Sequence, residues 1–250
     1  MITVETILEF LNGYCPFETA METDNPGLQV GARGAAVSRV LLDMDATAEA
    51  AEEAAARGCE LLITHHPLSF GLPKNCTDET TEGRGVLRLA RHGIAHIACH
   101  TNLDAAANGV NTQLAAACGM KETVLFAGIA RAGSLETTAE ELAARVKREL
   151  HVAACRAAIS HPDVHKLAVI GGSGGSMVEE CVKEGCDTLV TGEAKHRQIL
   201  LARELGLNLL IFGHYETEYP VLPPLAEALR AAFPELEVAV RRFAPPTEVL

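Results

Sequence analysis

The chain has 250 residues, of which 48% are hydrophobic and 22% charged, and its formal net charge is −12. This composition excludes a disordered chain, and the acidic balance makes nucleic acid an unlikely partner and disfavours anionic membranes. No cationic leader and no apolar run of roughly 18–20 residues stands out, so we expect a cytoplasmic protein with no membrane partner.

Short apolar segments alternate with Ala- and Glu-rich segments along the chain. The predicted strands are 37–42, 61–64, 94–99, 167–170, 188–191 and 209–212. The predicted helices are 47–57, 86–91, 177–184 and 196–205. Because this alternation is typical of βαβ units, we predict an α/β fold with mainly parallel sheets.

An internal repeat relates the two halves of the chain. Residues 58–66 align without gaps with residues 185–193, and in each half a later strand leads to a His-x-x-x-acid element. We therefore predict two similar α/β lobes, residues 1–125 and 126–250, with a metal site at the lobe interface.

Paired histidines, His65 and His66, end the central strand of the first lobe, where the second lobe has Gly192 and Glu193. Open α/β sheets place their ligands at the carboxyl ends of parallel strands. Adjacent side chains on extended backbone point apart, and Pro67 favours extended backbone at His66. We expect the two imidazoles to diverge, so that each can bind its own ion.

The His-x-x-x-acid elements supply further candidate ligands. Asp104 is an oxygen donor past a strand end, and a helical turn after Gly213 would place His214 and Glu218 on one face. Mixed imidazole and carboxylate ligation suits zinc, iron, manganese, cobalt or nickel rather than calcium. A pair of such ions acidifies a bridging water, so we expect metal-assisted hydrolysis.

His100 admits three interpretations: a metal ligand, a proton shuttle, or a residue that orients Asp104 and the water. We place it in the catalytic set. The segment between His66 and Val86 is long for a connection, and is either a functional lid or a plain surface loop.

A glycine-rich segment, residues 171–175, supports two rival hypotheses. It matches G-x-S-x-G after a strand, so Ser173 could be the nucleophile of a serine hydrolase, with Asp187 and His214 as partners. Its amides could also bind a phosphate, although it lacks the ending of a Walker motif. We favour a tight strand-to-helix turn.

The chain resembles the Nif-three-like family, whose members are often named GTP cyclohydrolase I type 2 homologues. The segments that carry the resemblance are residues 24–31, 63–67, 100–111, 191–193 and 213–218. The resemblance implies a two-lobed α/β fold with two divalent metal ions per subunit and assembly into a toroidal homohexamer. By motif matching it implies the ligands His65, His66, Asp104, His214 and Glu218, with Glu218 shared between the ions.

The resulting hypothesis is a dinuclear metal-binding protein with a metal-dependent hydrolase-type site that acts on a small-molecule or nucleotide-like substrate. The alternative is a metal-handling or regulatory protein without turnover, since ligands for the two kinds of site look alike.

Overall fold

Apolar strands form two sheets, one in each of two structural units of the computed structural model, which describes residues 1–71 and 75–247. The first unit contains Met1–Ala106 and Leu222–Arg242. The second unit contains Ala107–Val221 and the described residues 243–247. The lobe boundaries of 1–125 and 126–250 remain a proposal about the repeat, whereas packing makes the chain return to the first unit after residue 221.

The helices and strands are numbered in chain order. The helices are α1 (Val4–Tyr14), α2 (Ala48–Ala56), α3 (Thr81–His92), α4 (Thr101–Ala105), α5 (Val110–Cys118), α6 (Ala139–Glu149), α7 (Val178–Lys183), α8 (His196–Glu204), α9 (His214–Glu218) and α10 (Leu222–Ala232). The strands are β1 (Gly27–Val30), β2 (Arg39–Asp43), β3 (Leu61–Thr64), β4 (Ala95–Ala98), β5 (Val124–Phe126), β6 (Ala130–Thr138), β7 (Arg156–Ala158), β8 (Asp163–Ile170), β9 (Thr188–Thr191), β10 (Asn208–Ile211) and β11 (Glu237–Val240).

The first unit has a sheet of order β1-β4-β3-β2-β11. Strands β4, β3, β2 and β11 run parallel, and β1 pairs antiparallel with β4 at the edge. Every residue of β3 and β4 is buried, as expected for central parallel strands that are covered on both faces. Thr47 and Thr80 cap α2 and α3 by accepting from backbone amides, which fixes where these helices begin.

The second unit has a sheet of order β5-β6-β8-β9-β10-β7. Its centre, β8, β9 and β10, is parallel, while β5, β6 and β7 pair antiparallel. The hairpin between β5 and β6 turns through Gly128, whose φ of +81° favours glycine. Helix α6 begins with a capping box in which Thr138 and Glu141 each bond the other's backbone amide.

The predicted α/β class is confirmed, and the boundaries of β3 and β9 match the predicted segments 61–64 and 188–191. The antiparallel strands β1, β5, β6 and β7 were not predicted, because they lie outside the βαβ alternation. Within the described ranges, no helix combines the length and apolar character that a bilayer crossing requires.

Candidate metal-binding sites

The paired histidines of the first unit follow directly after β3. The amide of His65 donates to the carbonyl oxygen of Asp43 at 3.2 Å, and the amide of His66 donates to that of Met44 at 2.8 Å. The chain bends at both histidines, so the alternation of an extended strand no longer applies. The expectation that the imidazoles diverge is therefore wrong, because their ring centroids lie only 4.9 Å apart.

A third imidazole joins this pair. His100 follows β4, and its ring centroid lies 5.2 Å from that of His65 and 5.5 Å from that of His66. Each ring offers one nitrogen that could bind a metal ion, and these three nitrogens lie within 4.8 Å of one another. The group combines a buried ring, His65, with two half-buried ones.

Each of the three rings is oriented by a hydrogen bond from its Nδ1 to an oxygen that can only accept. The resulting tautomer, with the proton on Nδ1, presents the lone pair of Nε2 for coordination. The acceptors, each at 2.9 Å, are the Cys99 carbonyl for His65, Asp45 Oδ1 for His66 and Asp24 Oδ1 for His100.

Asp24 is the more deeply enclosed of the two orienting carboxylates, with 2% of its side chain exposed. Burial alone would raise its pKa, but hydrogen bonds from His100 and Thr101 outweigh burial and hold the pKa well below its ordinary value. Its second oxygen accepts from both the amide and the hydroxyl of Thr101. Asp24 therefore stays ionised and holds the start of α4 together with His100.

Asp104 lies within α4, on the same side as His65. Its amide donates to the carbonyl of His100 at 3.0 Å, and its Oδ1 lies 3.7 Å from Nε2 of His65. The first unit therefore brings together His65, His66, His100 and Asp104, and this group offers both nitrogen and oxygen atoms.

The second unit carries its own candidate ligands at α9. This helix begins directly after Gly213, and the helical spacing brings Nε2 of His214 to 3.2 Å from Oε1 of Glu218. Nδ1 of His214 lies 3.3 Å from Oε2 of Glu193, which follows β9. Glu218 is buried, with 5% of its side chain exposed, whereas Glu193 is largely exposed.

Two glycines allow close approaches near these side chains. A Cβ at Gly172, whose φ is +59°, would collide with Oε1 of Glu218 and lie 2.9 Å from Nε2 of His214. A Cβ at Gly192 would lie 2.6 Å from the Gly213 carbonyl. Gly192 aligns with His65 in the repeat. Where the first unit has an imidazole, the second unit therefore has a glycine that lets the backbone of Gly213 approach closely.

The donor sets of both units fit divalent transition metals. Oriented imidazoles combined with carboxylates are the ligands that zinc, iron, manganese, cobalt and nickel prefer. A Cβ at Gly172 would fill the space beside the two ligand atoms of α9. Both observations support metal binding by these residues.

The serine-hydrolase hypothesis does not agree with the structure. Ser173 follows β8 and His214 follows β10, so both lie at carboxyl strand ends. Asp187 precedes β9 at the opposite end, where it accepts from the amides of His165 and Lys166. With a rise of about 3.3 Å per residue, the length of a strand separates Asp187 from the other two.

The phosphate-loop hypothesis fails for a different reason. Backbone amides of the segment 171–175 already donate to acceptors within the protein at 2.7–3.1 Å. The acceptors are Asn111 Oδ1 for Gly171, Thr217 Oγ1 for Gly172, Thr191 Oγ1 for Gly174 and the Glu193 carbonyl for Gly175. The segment is the tight strand-to-helix turn that we favour, and its last two residues begin a short 3-10 helix.

Sequence reasoning missed the orienting residues Asp24 and Asp45, and it assigned no role to Glu193. Asp45 comes two residues after β2, so the rule that polar residues gather at carboxyl strand ends would have identified it. Asp24 lies shortly before the edge strand β1, which the sequence did not predict, and only the folded chain brings it to His100.

A family model described as Duf34/NIF3 (NGG1p interacting factor 3) matches residues 2–246. The chain is 32% identical to a GTP cyclohydrolase 1 type 2 homolog of Clostridium perfringens, with 90% of each chain covered. It is 30% identical to the GTP cyclohydrolase 1 type 2 of Helicobacter pylori strain J99, with all of each chain covered. The solved structure of reduced HcgD from Methanocaldococcus jannaschii is 29% identical, with a TM-score of 0.87 over 97% of this chain and 98% of that one.

Proposed function

The chain belongs to the Duf34/NIF3 family, and we propose that it binds two divalent metal ions and uses them in hydrolysis. The proposed ligands are His65, His66 and Asp104 in the first unit and His214 and Glu218 in the second. Bound ions of this kind supply Lewis acidity and a more acidic water. The observation that carries the proposal is the group of three imidazoles whose Nδ1 atoms are all held by acceptors.

The chain's own residues would act around the ions in distinct ways. The Cys99 carbonyl and Asp45 orient the ligand rings of His65 and His66, which reduces the rearrangement that binding requires. His100 is the proposed catalytic residue, because Asp24 holds its Nδ1 and leaves Nε2 with the lone pair that could accept a proton. Glu193 holds the ring of His214 in the second unit.

The substrate is proposed to be a small molecule or a nucleotide, since relatives carry the name GTP cyclohydrolase 1 type 2. The toroidal homohexamer and the cytoplasmic location stay predictions. Light scattering of the metal-loaded protein tests the hexamer, which requires six times the mass of one chain.

The proposal is tested by measuring metal content and turnover together. Wild-type protein, His66→Ala and Glu218→Gln are loaded in turn with zinc, manganese, iron, cobalt and nickel, and assayed with GTP and a panel of phosphoesters. We expect two ions per wild-type chain, fewer in either variant, and turnover that both substitutions abolish. His165→Gln, at an exposed histidine of β8, is the matched control and should keep both properties.

Two results would contradict parts of the proposal. Less than one ion per wild-type chain would overturn metal binding itself. Two tightly bound ions with no turnover of any substrate would overturn the hydrolase and favour a metal-handling protein.

A further inference from the structure

Phe70 is the one aromatic ring among the large apolar side chains that are exposed in the described residues. Its exposed fraction is 63%, yet its ring centroid lies only 5.6 Å from that of His100, with an angle of 66° between the planes. One part of the ring therefore contacts the imidazole group, and much of the rest faces solvent.

Hydrogen bonds, rather than burial, hold Phe70 in this position. The amide of Leu68 donates to Oε1 of Gln29 at 2.8 Å, and Nδ2 of Asn25 donates to the carbonyl of Ser69 at 2.7 Å. The hydroxyl of Ser69 donates to the Gly71 carbonyl. Single exposed apolar residues are common on protein surfaces, but this one is fixed on both sides by polar contacts.

The same N-terminal segment positions both rings. Asp24 holds the imidazole of His100, and its neighbour Asn25 holds the backbone next to Phe70. An open aromatic ring at a fixed place beside three imidazoles resembles one half of a stack, because flat rings pair favourably at centroid distances of about 4.5–7 Å.

We propose that Phe70 is a specificity-determining residue that stacks on a flat, unsaturated ring of the substrate. This inference rests on the proposed function, because the imidazole group would bind the reacting end of the same molecule. Phe70 lies in the segment between His66 and Val86, and the inference gives this described part of the segment a contact with the substrate.

The test uses two probes that cannot be hydrolysed and differ only in their rings. Phenylphosphonate has a flat ring, cyclohexylphosphonate has a saturated ring of similar size, and the phosphonate of each can bind a divalent ion. Calorimetric titration of manganese-loaded protein gives the ratio of the two affinities, and titration of metal-free protein gives the same ratio without the ion.

We expect the wild-type protein to bind phenylphosphonate about 3- to 10-fold more tightly than cyclohexylphosphonate, as a single aromatic pair would provide. Phe70→Leu should remove this preference, and Phe70→Tyr should retain it. Leu200→Ala, which changes an exposed apolar side chain of α8, is the control and should leave the ratio unchanged. Because Phe70 is exposed, none of its variants should alter the unfolding midpoint.

A second readout uses the absence of tryptophan from the chain. Phe70→Trp introduces a single indole, whose emission should change with phenylphosphonate and not with cyclohexylphosphonate. Equal affinities for the two probes, no binding of either, or a preference that survives in Phe70→Leu would overturn the stacking role. If one of these three results is obtained while two ions are bound, only the stacking role of Phe70 fails. If no metal is bound but the protein still prefers phenylphosphonate to cyclohexylphosphonate, only the proposed function fails.

Discussion

At the scale of single residues, the proposed metal binding depends on the side chains that orient the candidate ligands as much as on the candidate ligands themselves. The Nδ1 atoms of His65, His66 and His100 all donate to fixed acceptors. Such partners select the tautomer and raise the basicity of the coordinating nitrogen. The orienting residues are therefore expected to affect metal affinity although they are not ligands.

Replacement of Asp45 tests this expectation. Asp45→Ala removes the acceptor for Nδ1 of His66, so we expect metal affinity to fall about 10- to 100-fold. The affinity is measured by competition with a chromogenic chelator. Asp78→Ala, at an exposed acidic residue of the same unit, should leave the affinity within twofold, and an equal loss in both variants would argue against an orienting role.

A glycine tests the second unit in the same way. Gly172→Ala places a Cβ against Glu218 and strains a backbone with φ of +59°, so we expect weaker metal binding and a loss of about 1 kcal/mol of stability. Gly206→Ala is the matched control, because φ is +74° there and a Cβ meets nothing within 4 Å. Both variants should lose stability, but only Gly172→Ala should bind metal more weakly. Unchanged metal binding in Gly172→Ala would refute the steric argument.

At the scale of elements, the candidate site residues follow the carboxyl ends of strands, while the interiors of the strands hold no charged side chain of the site. β4 shows both properties, because it leads to His100 and contains His96, which is fully buried. Oγ1 of Thr64 donates to the His66 carbonyl, so it accepts from Nε2 of His96 at 2.8 Å. Burial lowers the pKa of His96 to about 3, and the ring remains neutral in the folded protein.

This buried imidazole predicts a pH dependence of stability. Below pH 6.5, His96 becomes protonated in the unfolded chain but stays neutral in the folded protein. The free energy of unfolding therefore falls as the pH decreases towards 3. At pH 5 the loss amounts to about 2 kcal/mol. His96→Gln keeps a donor to Thr64, and the decrease in its unfolding free energy between pH 7 and pH 5 should be smaller by about that amount. Equal decreases in denaturant titrations of the two proteins would contradict the assignment.

At the scale of the whole molecule, the order of the chain and the order of packing differ. The returning segment contributes β11, which pairs with β2, and α10, whose side chains Leu222, Leu225 and Leu229 are buried. Arg241 then pairs with Asp43 at 3.0 Å and with Glu53 at 2.8 Å. The first unit is therefore incomplete without residues from the end of the chain.

Fragments test this dependence. We expect residues 1–125 alone to lack a cooperative thermal transition. In this fragment β2 has no β11 to pair with, and the apolar face that α10 covers becomes exposed. Co-expression with residues 222–250 should restore protection of the amides of β2 and β3 in hydrogen exchange. A fragment 1–125 that unfolds cooperatively by itself would show that the returning segment is dispensable.

The sequence by itself determined the α/β class and the central strands β3 and β9, and it indicated the candidate ligands, because buried parallel strands are continuous apolar runs and their carboxyl ends carry polar residues. It also determined the pairing of His214 with Glu218, since helical spacing is a local property. Only the tertiary structure decided that His65 and His66 lie side by side, that Asp24 orients His100, and that β11 completes the first sheet. These features depend on a bend at a strand end and on contacts between residues far apart in the chain, which no local pattern encodes.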